Sequence, residues 1–286
     1  MQMMTVAKRL GLAAGAAVMA QTAVAQTALE DLEIVGAPTP GATGFQPAAT
    51  ELMRDLVWLD GFLLVIITII SLFVTGLMAW CVLRFNAKRK PEAATFTHNS
   101  PLEVAWTIVP IVILVFIGAF SLPILFKQQE IPEGDINISV TGYQWFWSYE
   151  YTDENVFFES YMIGYNEGNL NDDIIAQLEE AGYSEDEFRL ATDTAVVVPV
   201  GATVVMTITG ADVIHSWTIP SFGVKQDAVP GRFAQLWFSA EREGIYFGQC
   251  SELCGKDHAY MPITVKVVDP AVYEEWLAGA KEEFPA

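Results

Sequence analysis

The chain has 286 residues, 52% of them hydrophobic and only 17% charged, and its mean hydropathy of +0.32 exceeds that of an ordinary soluble domain. Fifteen basic against 35 acidic side chains leave a net charge of −20, which excludes an electrostatic nucleic-acid binder because no basic face can be assembled. Three cysteines, Cys81, Cys250 and Cys254, are too few for a disulfide-stapled scaffold.

At the amino terminus, Lys8 and Arg9 precede an apolar stretch from Leu10 to Ala20 and an Ala23-Val24-Ala25 motif. This pattern predicts a secretory signal peptide over 1–25, with Gln26 as the new terminus after cleavage. Residues 26–50 are rich in Ala, Pro, Gly and Thr without a sustained period, and are expected to form an extended external arm.

Gly61–Leu83 and Val104–Phe126 both run without a single charged side chain. At a rise of about 1.5 Å per residue each run spans about 34 Å, enough for a bilayer core of roughly 30 Å. A transmembrane hairpin is predicted within 51–127, with helices at about 58–84 and 102–126. Arg84, Lys88, Arg89 and Lys90 place the 85–101 loop in the cytoplasm and both mature termini outside. Pro110 and Pro123 fall inside the second run, where neighbouring helices can make up for lost hydrogen bonds, and Trp58, Trp80 and Trp106 lie near the run ends as an aromatic belt does. Glu103 begins the second helix. Its plain reading is a carboxylate favoured by the helix dipole; the functional one is a point of proton uptake at the membrane boundary.

From Gln128 onward, seven basic residues face 27 acidic ones, so the whole net charge is external. Residues 136–141, 195–198, 203–209, 213–219, 233–238 and 261–267 are rich in β-branched and aromatic residues and separated by turn formers, which predicts an all-β sandwich or barrel. An acidic insert at about 165–190 interrupts them. Ile174, Ile175 and Leu178 show helical spacing there, but the segment is expected to be a solvated surface excursion of variable conformation. A short amphipathic helix is expected over 271–283. The aromatic-rich run from Tyr143 to Tyr151 reads, on its own, as a packed strand.

Cys250-Ser-Glu-Leu-Cys254-Gly-Lys-Asp-His258-Ala-Tyr-Met261 gathers two thiols, an imidazole and a thioether in one short segment, and His215 lies on a predicted strand well before it. Thiolate, imidazole and a weak thioether form the ligand set of copper electron-transfer sites. A mononuclear site needs one cysteine, so the second allows two sulfurs to bridge two coppers. A disulfide between Cys250 and Cys254, a Cys₂His₂ zinc site and a membrane-anchored copper metallochaperone are the competing readings.

Four blocks carry a resemblance to a known family: residues 142–151 (GYQWFWSYEY), 212–217 (DVIHSW), 227–232 (DAVPGR) and 246–255 (YFGQCSELCG). Together with the membrane hairpin they resemble subunit II of the haem–copper cytochrome c oxidases, bacterial type, over roughly residues 50–280. The resemblance implies a cupredoxin-like Greek-key domain in the periplasm, anchored in the inner membrane. It implies a binuclear copper centre, CuA, on His215, Cys250, Cys254, His258, Met261 and the Glu252 carbonyl, with the Glu252 side chain on a magnesium ion shared with subunit I. It further implies that Trp145 receives the electron from cytochrome c, that Glu159, Asp193 and Asp212 dock that basic partner, and that Glu103 stands at the mouth of a proton-uptake path. Phe146 departs from the tyrosine that many members carry, and the acidic insert lengthens the docking face.

Overall fold

The computed structural model describes Leu29, residues 32–90, Glu92, and residues 94–165 and 168–286. The signal peptide and the Gln26 terminus lie outside the described residues. The described chain forms two compact units, residues up to Met53 with Glu130–Ala286, and Arg54–Gln129.

The smaller unit is built by two long helices, α1 (Glu51–Arg84) and α2 (Ser100–Gln129), both long and apolar enough to cross a membrane. They run antiparallel: Phe62 packs on Phe116 and Phe120, and Lys127 near the end of α2 pairs with Asp55 near the start of α1 at 2.7 Å. α1 begins earlier than its uncharged run because the Thr50 hydroxyl accepts the Met53 N–H, an N-terminal cap that carries the helix through Arg54, Asp55 and Asp60. At the start of α2, Asn99 accepts the Leu102 N–H while the Glu103 carboxylate accepts the Asn99 N–H at 3.2 Å. Glu103 therefore has a capping task whatever else it does.

The larger unit is a β-sandwich. One sheet has the order β1 (Ile34–Gly36), β10 (Gly244–Gln249), β11 (Pro262–Val268), β5 (Val196–Pro199). The other runs β4 (Val156–Ser160), β3 (Phe146–Tyr151), β2 (Ile136–Tyr143), β6 (Thr203–Gly210), β9 (Ala234–Ser239). β7 (His215–Ile219) and β8 (Val224–Ala228) form a separate hairpin. In β2 burial alternates, with Ile136, Ile138 and Val140 turned inward, as expected for a sheet packed on one face. β11 and β5 are buried along their whole length and therefore need cover on both faces.

Two differences from the sequence-based expectation bear on the site. The arm is not merely extended, because Ile34–Gly36 adds β1 to the edge of β10 in parallel. The acidic insert is not a loose excursion. It folds into α3 (Asp172–Glu180), capped by Asn171, and a short 3₁₀ turn at Glu185–Glu187 closed by a reciprocal Ser184–Glu187 cap. Ile174 and Leu178 are fully buried, clustered with Ile163, Tyr183, Ile245 and Phe247. The physical reason is the two-sided burial of β10 and β11: the insert covers the back of that sheet, and the ammonium of Lys266 on β11 lies 5.1 Å from the Tyr183 ring centre. α4 (Pro270–Glu283) turns Tyr273, Leu277 and Ala280 inward. Leu178→Ala is expected to destabilise the insert by about 2–4 kcal/mol, read as a loss of hydrogen-exchange protection across α3; an α3 already unprotected in the parent would restore the loose excursion.

Candidate metal centre

The segment from Cys250 to Met261, which follows the last β10–β11 pair of Gln249 with Pro262, forms the loop that carries most of the donors. Cys250 leaves β10 directly, and the Ser251 N–H donates to the Ser216 carbonyl at 2.9 Å, tying the loop to β7. His215, the first residue of β7, is fully buried beside it. The structure brings all six sequence-predicted donors together. Cys250 Sγ lies 3.9 Å from His215 Nδ1 and 3.3 Å from the Glu252 carbonyl oxygen. Cys254 Sγ lies 3.5 Å from His258 Nδ1 and 3.4 Å from Met261 Sδ. The sulfurs stand 3.9 Å apart and are not bonded to each other.

His215 and the Glu252 carbonyl thus lie nearest the Cys250 sulfur, and His258 and Met261 nearest the Cys254 sulfur. A single tetrahedral Cys₂His₂ ion would leave the thioether and the carbonyl without a part. A pair of soft ions bridged by both sulfurs uses every donor, so the residues fit the dinuclear group that the resemblance implies.

His215 is oriented from behind: its Nε2 lies 2.9 Å from Asp212 Oδ1, which leaves Nδ1 facing the sulfurs. Asp212 also accepts the Gln144 N–H at 2.8 Å and the Val213 N–H at 2.6 Å. Burial opposes the charged form of His215, but hydrogen bonds with Cys250 and Asp212 outweigh it and hold its pKa above the ordinary value. Burial also pushes the Cys250 thiol up, and the hydrogen bond with His215 is the largest of the opposing effects that bring it below the ordinary value. The Cys254 thiol is pushed up to about 12 by burial and then by the neighbouring Cys250.

Sequence reasoning missed three residues that support this cluster. Gln144 Nε2 donates to the Cys254 carbonyl at 2.9 Å, and Trp147 Nε1 donates to the Met261 carbonyl at 3.3 Å. Gly142, at the end of β2, lies under the His215 ring, and a Cβ there would stand 2.9 Å from ring carbons. Gly142→Ala is expected to displace the imidazole and cut copper uptake, measured as metal bound per chain, while the far-ultraviolet circular dichroism stays unchanged; full uptake would show that the ring has room.

The aromatic run is two strands, β2 and β3, meeting at a turn that places Trp145 half-buried at its tip. Trp145 Nε1 donates to the Cys254 carbonyl at 3.3 Å, and the Lys256 ammonium lies 5.4 Å from its ring centre. Gly255, at φ 129°, keeps the space that this ring occupies: a Cβ would fall 3.0 Å from it. Glu159 and Asp193 are exposed and meet on Tyr161, whose hydroxyl donates to Glu159 at 2.7 Å and whose N–H donates to Asp193 at 2.9 Å. Tyr161 stacks on Phe146 and Phe146 on Tyr143, so the two acids border the aromatic tip. The Glu252 side chain is exposed beside the cluster.

Two apolar helices and a β-sandwich with a buried sulfur–imidazole cluster define the class: a membrane-anchored protein with a soft-metal centre in its β-domain. Comparison with known proteins narrows this. The family model described as cytochrome c oxidase subunit II, periplasmic domain, matches residues 136–268, and the transmembrane-domain model of the same subunit matches residues 38–124. Cytochrome c oxidase subunit 2 of Cereibacter sphaeroides is 63% identical over 275 residues, covering 95% of this chain and 91% of the relative. A probable cytochrome c oxidase subunit 2 of Rickettsia bellii is 43% identical over 243 residues, 85% of each chain. Among solved structures, the periplasmic domain of subunit II of cytochrome oxidase from Bradyrhizobium japonicum is 40% identical with a TM-score of 0.45, covering 54% of this chain and 99% of that one. The chain belongs to the cytochrome c oxidase subunit II family: it is a membrane protein with a periplasmic, copper-binding β-domain and a subunit of an oxidoreductase complex. The metallochaperone reading is not favoured.

Proposed function

We propose that this chain is the electron-accepting subunit of a cytochrome c oxidase in a bacterial inner membrane, taking electrons one at a time from cytochrome c and passing them towards haem a of subunit I. Two copper ions would be held by His215, Cys250, the Glu252 carbonyl, Cys254, His258 and Met261. The observation that carries this reading is the gathering of four further donors about two unbonded sulfurs 3.9 Å apart. When bound, the pair supplies a one-electron site whose unpaired electron is shared through both thiolates, so little rearrangement accompanies each transfer.

The chain's own residues do the remaining work. Asp212 fixes the His215 tautomer, and the tie between β7 and the ligand loop holds the Cys250 side in place. Trp145 offers a half-buried aromatic ring to the donor and a hydrogen bond to the backbone of Cys254. Glu159 and Asp193 flank it, and the acidic excess of the domain speeds encounter with a basic cytochrome c, an effect that falls with salt. The Glu252 carboxylate, a hard oxygen donor, suits a magnesium ion shared with subunit I. Glu103 would admit protons at the cytoplasmic side, and reduction of oxygen to water and the proton translocation coupled to it would reside in partner subunits.

The reading is tested by electron paramagnetic resonance with metal analysis on the copper-loaded full chain in detergent. A seven-line hyperfine pattern and two coppers per chain are expected. A four-line signal, one copper or zinc would overturn it.

A further inference from the structure

Five of the six donors sit on one irregular loop, and among the described residues its 3₁₀ turn, His258–Tyr260, has no side-chain cap. Donors on such a loop hold one geometry only if something outside the loop steadies them. The Cys250 side is steadied by β7 and β10. On the Cys254 side the carbonyls of Cys254 and Met261 are held by Gln144, Trp145 and Trp147, and the stretch between them, which carries His258, takes its outside contacts from elsewhere.

The acidic insert reaches this loop at two points and the end of β10 that leads into it at a third, and each is the residue directly before a donor. The Tyr165 hydroxyl donates to Asp257 Oδ2 at 3.0 Å, just before His258. The Arg189 guanidinium lies 5.5 Å from the ring centre of Tyr260, just before Met261. The Arg189 carbonyl accepts from Gln249 Nε2 at 3.1 Å, just before Cys250. Tyr165 and Arg189 stand at the two ends of the insert, and the segment between them is anchored by Ile174 and Leu178 against Phe247 of β10. Arg189 keeps a left-handed backbone, φ 71°, a conformation that a non-glycine residue rarely takes and that surrounding contacts must hold.

We propose that the acidic insert is a prop for the ligand loop, with Tyr165 and Arg189 as positioning residues that set how firmly His258 and Met261 are held. The inference rests on the dicopper reading above for its consequence, but not for its geometry. Removing the prop loosens His258 and Met261, the donors nearest the Cys254 sulfur, while His215 keeps its hold from Asp212.

The test uses the full chain in detergent with Tyr165→Phe, Arg189→Gly and the double substitution. Phenylalanine keeps the ring and removes only the hydroxyl; glycine accepts the left-handed backbone and removes the guanidinium. In the double variant the His258 and Tyr260 amides are expected to exchange about tenfold faster, while α3 keeps its protection. A chelator is expected to strip copper about tenfold faster than from the parent, and the evenly spaced seven-line hyperfine pattern to be lost. Glu179→Gln, on the exposed side of α3, should change none of these. Unchanged loop exchange in Tyr165→Phe and in the double variant overturns the prop. If the parent takes up no copper, the dicopper reading fails, and amide exchange alone still decides the prop.

Discussion

A chain carrying Cys254→Ser is expected to lose dinuclear copper binding while its β-sandwich stays folded. Cys254 Sγ is the hub of the cluster, within 3.9 Å of the other sulfur and 3.5 Å or less of His258 and Met261. A serine hydroxyl is nearly isosteric but does not ionise in this range, so it cannot bridge. Metal analysis should fall from two coppers per chain to at most one, and the hyperfine pattern should collapse from seven lines to four. The pH dependence makes the test sharper. Because burial and Cys250 push the Cys254 thiol up to about 12, that thiol is protonated at neutral pH before metal uptake. Binding must expel its proton, so the sign is fixed: acidification weakens copper binding, and affinity rises about tenfold per pH unit for this one proton. Cys250, held below its ordinary value, gives up its proton more readily. In Cys254→Ser the slope of log affinity against pH should drop by about one. An unchanged slope would mean that the proton comes from another group.

Much of this architecture can be read in the chain itself, for reasons that differ by element. The two membrane helices are legible because uncharged stretches as long as Gly61–Leu83 and Val104–Phe126 have no other stable fate. Their starts are less so: Arg54, Asp55 and Asp60 break the apolar run, and only the Thr50 cap, visible once the backbone is placed, carries α1 back to Glu51. Strand β2 alternates and is readable, whereas β10 is apolar for most of its length, contains two glycines and is buried on nearly every residue, so it lacks the period that identifies a half-buried strand. β1 has three residues and takes its meaning from the edge of β10.

The same distinction divides the site. Two cysteines, a histidine and a methionine crowded between Cys250 and Met261, and a further histidine in a chain with three, are local signals. The tasks of Asp212, Gln144 and Gly142 depend on β2, β7 and the ligand loop meeting in space, which no spacing rule contains. The insert illustrates the point best. The helical spacing of Ile174 and Leu178 is plain, yet what they cover is the back of a sheet whose two-sided burial appears only on folding. Composition makes the segment look solvated, because acidic side chains recur through it; a few apolar side chains on one helical face are enough to seat it.

Trp145→Phe is expected to slow electron arrival from reduced cytochrome c by roughly 10- to 100-fold without disturbing copper content or the hyperfine pattern. The substitution keeps an aromatic ring at the tip of the β2–β3 turn but removes the N–H that donates to the Cys254 carbonyl at 3.3 Å, the direct link between that ring and a ligand's backbone. That N–H reaches the Cys254 carbonyl and none of the six donor atoms themselves, so the copper spectrum should hold. Glu159 and Asp193 are also untouched, so the affinity for cytochrome c and its salt dependence should change little. Charge removal should do the reverse: Glu159→Gln should lower the association rate most at low ionic strength and leave the transfer step within the complex alone. Stopped-flow reduction at two ionic strengths separates the two effects. If Trp145→Phe slows only the salt-dependent phase, Trp145 is a docking residue, and the electron reaches the cluster by another route.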